Sequence, residues 1–253
     1  MTSLLKHFRA AVRFTLLIFY LIKGYLIVLF KFPLLSHRLR QQEVQKWSIK
    51  VLQCFGIIVH LEGAFTFRGP LLIVSNHISW LDVLVLHSVG YCRFVAKSEI
   101  GGWPVVGFLT RKTGMFFIER EKPRSAIKVV QTMSEALQEG SVLAVFPEGT
   151  TSDGTDLLPF HANLVQAAVS ANAPVQPLCI SYLDRASGLQ TQAPSFVGEI
   201  TLVQSVWSTI SAAPITAKVK AGELQYCQAR SRKEWAVDLR LKIGELLLAF
   251  KNT

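Results

Sequence analysis

The stretch from Leu71 to Leu86 restricts this chain more than any other. It begins with an apolar run, Leu71-Leu72-Ile73-Val74, that reads as a strand buried in a core. It ends in Val83-Leu84-Val85-Leu86, the start of a buried helix. Between them lie seven mostly polar residues, Asn76-His77-Ile78-Ser79-Trp80-Leu81-Asp82. A histidine and an aspartate therefore sit where a core strand hands over to a core helix. In α/β folds, ligands and chemistry gather beyond such strand ends.

The spacing of the two residues matters. Five positions along an ideal helix turn a side chain by roughly 140°. His77 and Asp82 can meet only if the helix begins between them. Ser79, three residues before Asp82, gives a capping-box pattern with Ser79 as N-cap. That leaves His77 in the loop, free to fold back on Asp82. A buried carboxylate on one imidazole nitrogen fixes the tautomer and makes the other nitrogen a better base. The same residues also fit a plain helix cap beside a core histidine, so the rest of the chain has to decide.

From Gly56 onward the sequence alternates short apolar runs with turns. Strands are expected at Ile57–Leu61, Leu71–Ser75, Arg93–Lys97, Met115–Ile118, Val142–Phe146, Val175–Tyr182 and Ile215–Lys220. Helices are expected through Leu86 and over Ala126–Gln138, Asn163–Ala171 and Lys233–Phe250, with a Gly/Pro-rich loop and short helix near Gly101–Gly107. This order predicts an α/β fold, a mostly parallel central sheet flanked by helices. The stripe Trp235, Leu239, Ile243 and Leu246 reads as core packing on the last helix.

Residues 1–55 have another texture. Residues 11–32 are almost continuously apolar, broken by Arg13, Lys23 and Lys31, and residues 38–55 read as an amphipathic helix. A helical hairpin over 1–55 followed by an α/β domain over 56–253 is the expected organisation. The longest uncharged run, Phe14–Ile22, is nine residues, against about 20 for a spanning helix. Lys23 at a bilayer centre would cost roughly 3 kcal/mol. The favoured reading is a helix lying in the membrane interface with its lysines snorkelling, and a tilted single span is the alternative.

Charge supports a membrane surface. Nine Lys and Arg in residues 1–50 face Glu43 alone, so most of the net +10 lies there. Half the residues are hydrophobic and mean hydropathy is +0.34. A basic segment rich in Leu, Ile, Phe and Tyr fits anionic lipid, not nucleic acid, and no nucleic-acid motif is present. Cys54, Cys92, Cys179 and Cys227 are scattered, without disulfide or metal-ligand spacing. No metal site is expected.

Three polar blocks now stand after apolar runs. Asn76–Asp82 matches N-H-x-S-x-x-D. Gly114-Met115-Phe116-Phe117-Ile118-Glu119-Arg120 matches G-x-x-F-I-x-R, and Phe146-Pro147-Glu148-Gly149-Thr150 matches F-P-E-G-T. Pro174-Val175-Gln176-Pro177 resembles a fourth, proline-bearing block. In this order the blocks resemble the glycerolipid acyltransferases, the bacterial 1-acyl-sn-glycerol-3-phosphate acyltransferases in particular. The resemblance covers about residues 56–225, and the hairpin is similar to the family's membrane anchor.

The resemblance implies an O-acyltransferase that moves a fatty acyl group from a thioester to a lysolipid hydroxyl. Acyl-ACP or acyl-CoA would be the donor, with no other cofactor. The acceptor would be 1-acyl-sn-glycerol-3-phosphate, with lyso-ornithine lipid the alternative. The partners implied are anionic membrane lipids, the lysophospholipid acceptor and the acyl carrier, at the cytoplasmic face of an inner membrane. A transacylase, or a non-catalytic lipid-binding protein on the same fold, is the competing class.

An alcohol is a poor nucleophile at neutral pH and needs a base as it attacks. His77 suits that task, held by Asp82, with the substrate hydroxyl where a hydrolase has its serine. No G-x-S-x-G elbow occurs, so attack without an acyl-enzyme is the simpler expectation. Backbone N–H groups near His77 and in the first helical turn are candidate oxyanion donors.

Further site residues follow from the resemblance. Arg120 would meet a phosphate, where otherwise it reads as an exposed arginine beside Glu119 and Glu121. Glu148 would hold the acceptor's glycerol, or serve the turn it begins. Gly149, Thr150 and Asn76 would help bind substrate. Lys97 would serve a phosphate or solvate a strand end, and His161 would face the headgroup or pack. Two departures weaken the phosphate assignment: Thr151-Ser152 stand where many members have Arg, and Phe160-His161-Ala162 where many have F-K-x-G.

Overall fold

The computed structural model describes residues 3–119 and 123–251. The apolar runs form β1 (Ile57–Glu62), β2 (Leu71–Ser75), β3 (Arg93–Lys97), β4 (Phe116–Ile118), β5 (Val142–Val145), β6 (Val175–Asp184) and β7 (Ile215–Ala221). They make one sheet in the order β1-β7-β6-β2-β5-β3-β4. The strands from β4 to β6 run parallel, while β7 is antiparallel to β6 and parallel to β1. The expected mostly parallel sheet is present, with a reversed pair at one edge.

β2 is central, and its residues are buried on both faces. The alternation of a strand sends Leu71 and Ile73 into one core and Leu72 and Val74 into the other. The first core lies under α1 (Ser3–Leu26), α2 (His37–Cys54), α3 (Asp82–Val89) and α8 (Leu202–Ser211). The second lies under α6 (Pro123–Gln138), α7 (Gln166–Ala171) and α9 (Arg232–Lys251). Short helices α4 (Ser98–Gly101) and α5 (Val106–Lys112) lead from β3 to β4. The expected stripe on α9 packs inward, with Trp235, Leu239 and Ile243 fully buried. Each contributes about 1.5–3 kcal/mol by leaving water.

The hairpin is held to the sheet. α1 passes through a π turn (Ile27–Lys31) and a 3-10 turn (Phe32–Leu34) into α2. Gly24 lets the helices close, since a Cβ there would collide with the Trp47 indole. Trp47 Nε1 donates to Tyr20 O at 2.7 Å. Ala10 and Leu17 of α1, and Val51 and Leu52 of α2, share the core of β2. Leu5–Leu34 is long and apolar enough to cross a membrane. Its inner stripe nevertheless lies along protein, while Phe8, Phe19, Ile22 and Phe30 remain exposed.

α8 falls in a stretch to which the sequence pattern assigns no element. The expected Ser79 cap also needs correction. α3 begins at Asp82, with Leu81 in the N-cap position. Ser79 lies in the preceding turn, where its Oγ accepts from Leu81 N at 3.3 Å.

Candidate active site

The site grows from the end of β2. Asn76 is fully buried, and its amide behaves as one more strand residue. Its Nδ2 donates to Ile180 O at 2.9 Å, and its Oδ1 accepts from Ile180 N at 2.7 Å. This moors the end of β2 to β6 and directs the following loop over the sheet's edge.

The loop then wraps around one carboxylate. Asp82 Oδ2 accepts from Ile78 N at 2.7 Å, Ser79 N at 2.9 Å and His77 Nδ1 at 2.8 Å. Asp82 Oδ1 accepts from the Tyr182 hydroxyl at 2.7 Å. Asp82 is fully buried, and four donors replace its water shell. Burial and the neighbouring Asp82 charge push the Tyr182 phenol well above its ordinary value, so it remains a donor.

A carboxylate only accepts, so His77 carries its proton on Nδ1 and leaves Nε2 with a lone pair. Among the described residues Nε2 has no hydrogen-bond partner. The His77 side chain is 20% exposed and stacks on Phe146, with centroids 4.0 Å apart and planes at 7°. The ring is thus fixed in orientation by a carboxylate and in plane by an aromatic face.

The F-P-E-G-T block supports this loop from β5, beside β2. Glu148 is 3% exposed. Its Oε1 accepts from His77 N at 2.8 Å and its Oε2 from Leu158 N at 2.9 Å. Burial pushes its carboxyl up, against the lowering pull of those two amides. Ser152 N donates to His77 O at 2.8 Å. The backbone of His77 is therefore gripped at both its N–H and its carbonyl.

The expected substrate contacts divide. Asn76 and Glu148 serve the scaffold: backbone groups bond both ends of the Asn76 amide and each Glu148 oxygen. Gly149 has φ 72°, which suits glycine in the turn, and Thr150 is exposed. Lys97 is exposed at the end of β3, and His161 is exposed with its N–H on Pro147 O at 2.8 Å. Arg120 lies outside the described residues. Of the expected oxyanion donors, the N–H of His77 is engaged by Glu148 and those of Ile78, Ser79, Leu81 and Asp82 within the loop. Tyr182 is the residue that sequence reasoning missed. Its role depends on β6 lying beside β2, which no local pattern encodes.

Among the described residues no group of three or more His, Cys, Asp or Glu is placed to hold a metal. A polar cavity of about 570 Å³ lies at the opposite strand ends, lined by Arg40, Arg93, Lys112 and Glu139 among others. It shares no residue with the His77 centre.

Comparison with known proteins gives the family and the fold. Residues 36–181 match the model of a family described as Acyltransferase. A lyso-ornithine lipid O-acyltransferase of Rhizobium meliloti (strain 1021) is 36% identical over 213 residues, covering 79% of this chain and 73% of that protein. A 1-acyl-sn-glycerol-3-phosphate acyltransferase of Neisseria gonorrhoeae is 37% identical over 148 residues, 58% of this chain and 57% of that relative's length. The fold is similar to the crystal structure of the 1-acyl-sn-glycerophosphate acyltransferase PlsC from Thermotoga maritima. That match has a TM-score of 0.69 at 21% identity and covers 96% of this chain and 98% of that one.

Proposed function

This chain belongs to the acyltransferase family, and on that premise we propose that His77 is the base that activates a lysolipid hydroxyl for acyl transfer. The observation that carries the proposal is the His77–Asp82 pair at 2.8 Å, made through Nδ1 of a partly exposed ring.

The reaction follows from that geometry. Nε2 takes the hydroxyl proton as the alcohol oxygen attacks the thioester carbonyl. Asp82 stabilises the imidazolium that forms. The tetrahedral intermediate collapses by breaking the C–S bond, and the imidazolium returns its proton to the leaving thiolate. The products are the diacyl lipid and a free thiol. Glu148, Asn76 and Tyr182 are positioning residues, holding the His77 backbone, the β2 end and the Asp82 carboxylate.

The donor is an acyl thioester on acyl carrier protein or CoA. The first acceptor is 1-acyl-sn-glycerol-3-phosphate, with Arg120 and Lys97 as phosphate partners and Gly149 and Thr150 at the mouth. A specific observation favours lyso-ornithine lipid as the second reading. Thr151 donates to Phe196 O and Ser152 to His77 O, so these residues staple loops where many members place a cation, and one relative above carries that lipid in its name. The exposed apolar side of α1 and the basic hairpin seat the enzyme on anionic lipid. The cytoplasmic face of the inner membrane is where acyl thioesters would reach it.

The test is acyl transfer by His77→Ala and Asp82→Asn, each offered the two lysolipids in competition. Turnover should fall by about 10³-fold or more in both, with the fold and lysolipid binding kept. Full activity in either variant sinks the base assignment, and the product ratio of the unaltered protein identifies the acceptor.

A further inference from the structure

α8 sends Ser205 and Thr209, at 1% and 0% exposure, into the protein beside Val206 and the fully buried Ile210, while Val203 and Trp207, four residues apart, face outward at 77% and 53% with Gln204 and Ser208. Two large apolar side chains on the outer face of a helix whose inner face spends two places on hydroxyls is not the pattern of a helix packed on a core in water. The hydroxyls of Ser205 and Thr209 are satisfied, whereas that of Ser211 at the last position is buried without a partner among the described residues. Trp80 Nε1 donates to Ser205 Oγ at 3.1 Å, and Thr209 Oγ1 lies 2.8 Å from Ser205 O. No charged residue occurs from Thr201 to Ala217. Ile200 and Val197, on the preceding loop, are also exposed.

The ends of α8 are closed as well. Thr201 and Gln204 form a reciprocal capping box at its start. At its other end the orphan carbonyls accept from α1. Arg13 donates to Ile210 O and Ala212 O at 2.9 Å, and Arg9 to Ala212 O at 3.1 Å. An uncharged outer face with satisfied termini is what a helix needs where water is scarce. Those arginines also place α8 beside the first turns of α1, whose Phe8 and Val12 are exposed in turn.

We propose that α8 is a second membrane-seated element, with the lipid bilayer covering Val203 and Trp207 in continuity with the outer side of α1. This rests on reading α1 as an interfacial helix. The seat is wired to the catalytic loop, through Trp80 to Ser205 and through Phe196 N, which donates to Ile78 O at 3.0 Å. His77 is thereby held at the level of the bilayer surface, and the lysolipid reaches it sideways from the leaflet.

The test uses the full chain with Cys227→Ser, since Cys54, Cys92 and Cys179 are buried. A single cysteine replaces Val203, or Phe19 on α1 as control, and carries an NBD label. The protein is bound to vesicles of phosphatidylethanolamine and phosphatidylglycerol doped with nitroxide lipid. Blue-shifted, quenched emission at both positions is expected. A water-like, unquenched probe at 203 with a quenched probe at 19 overturns the α8 proposal alone. Unquenched probes at both overturn the interfacial reading of α1 and α8 together. In parallel, a Val203→Ser, Trp207→Ser double variant should lose about tenfold or more activity on vesicle-embedded lysolipid. It should keep its rate on a short-chain, monomeric lysolipid. Equal loss on both substrates would make α8 a packing element and overturn the delivery role.

Discussion

Glu148→Gln separates two roles for a motif residue. Glutamine keeps the size and shape but replaces one acceptor by a donor. Both native oxygens accept backbone N–H groups, from His77 at 2.8 Å and Leu158 at 2.9 Å. The amide can satisfy one of them, and its NH₂ then meets the other N–H, donor against donor. The lost bond to a charged acceptor costs about 1.5–3 kcal/mol, and the stranded buried donor about 1–3 kcal/mol more. Removing a carboxylate that burial already disfavours offsets part of this. The expected net loss is about 2–4 kcal/mol, and in a chain of this length each kcal/mol lowers Tm by about 2–4 °C. Thermal unfolding followed by near-UV circular dichroism in detergent measures it. Because Glu148 holds the His77 backbone, kcat should fall with it, while KM for the acceptor changes less. An unchanged Tm and kcat with a raised acceptor KM would refute this reasoning and return Glu148 to the substrate.

Tyr182→Phe removes the one donor that the described residues place on Asp82 Oδ1. It should cost about 1.5–3 kcal/mol and lower kcat without raising acceptor KM; denaturant titration and steady-state kinetics with unchanged values would remove Tyr182 from the site. His87 is buried, donates through Nε2 to Cys92 O at 2.9 Å, and is pushed down to about 4. Between its ordinary value near 6.5 and about 4, the unfolded chain takes up a proton that the folded chain refuses, so stability falls as pH falls through that window, by ~3 kcal/mol in all. Urea unfolding at a series of pH values should show this slope flattened in His87→Gln; equal slopes would contradict it. Burial pushes the thiols of Cys92 and Cys179 up, and Cys54 is buried too. A thiol reagent on the native protein should label Cys227 alone, as peptide mapping would reveal, and rapid labelling of Cys92 or Cys179 would count against the packed core.

Local pattern carried the sheet. β2 and β3 fall at their expected bounds because burial on a strand's faces is written in adjacent residues. The His77–Asp82 pairing was legible for a related reason. Its five-residue spacing spans a helix start, a feature of the chain itself. α8 was not legible, because apolar and polar residues stand on both its faces, Ile210 beside Ser205 and Thr209 inward and Val203 and Trp207 beside Gln204 outward, so periodicity marks no single buried side. The parts of Asn76, Glu148 and Tyr182 were hidden as well. Each depends on which strand lies beside which.

By itself the sequence determined an α/β sheet, a greasy basic hairpin, and a histidine poised against an aspartate at a strand's end, because those are properties of neighbours in the chain. Only the tertiary structure decided that β5 and β6 flank β2. Glu148 was thereby brought against the His77 backbone, Ile180 against the Asn76 amide, and Tyr182 against the Asp82 carboxylate. The reason is physical: strand order is a long-range choice of hydrogen-bond partners, and no run of consecutive residues specifies the partner across the sheet.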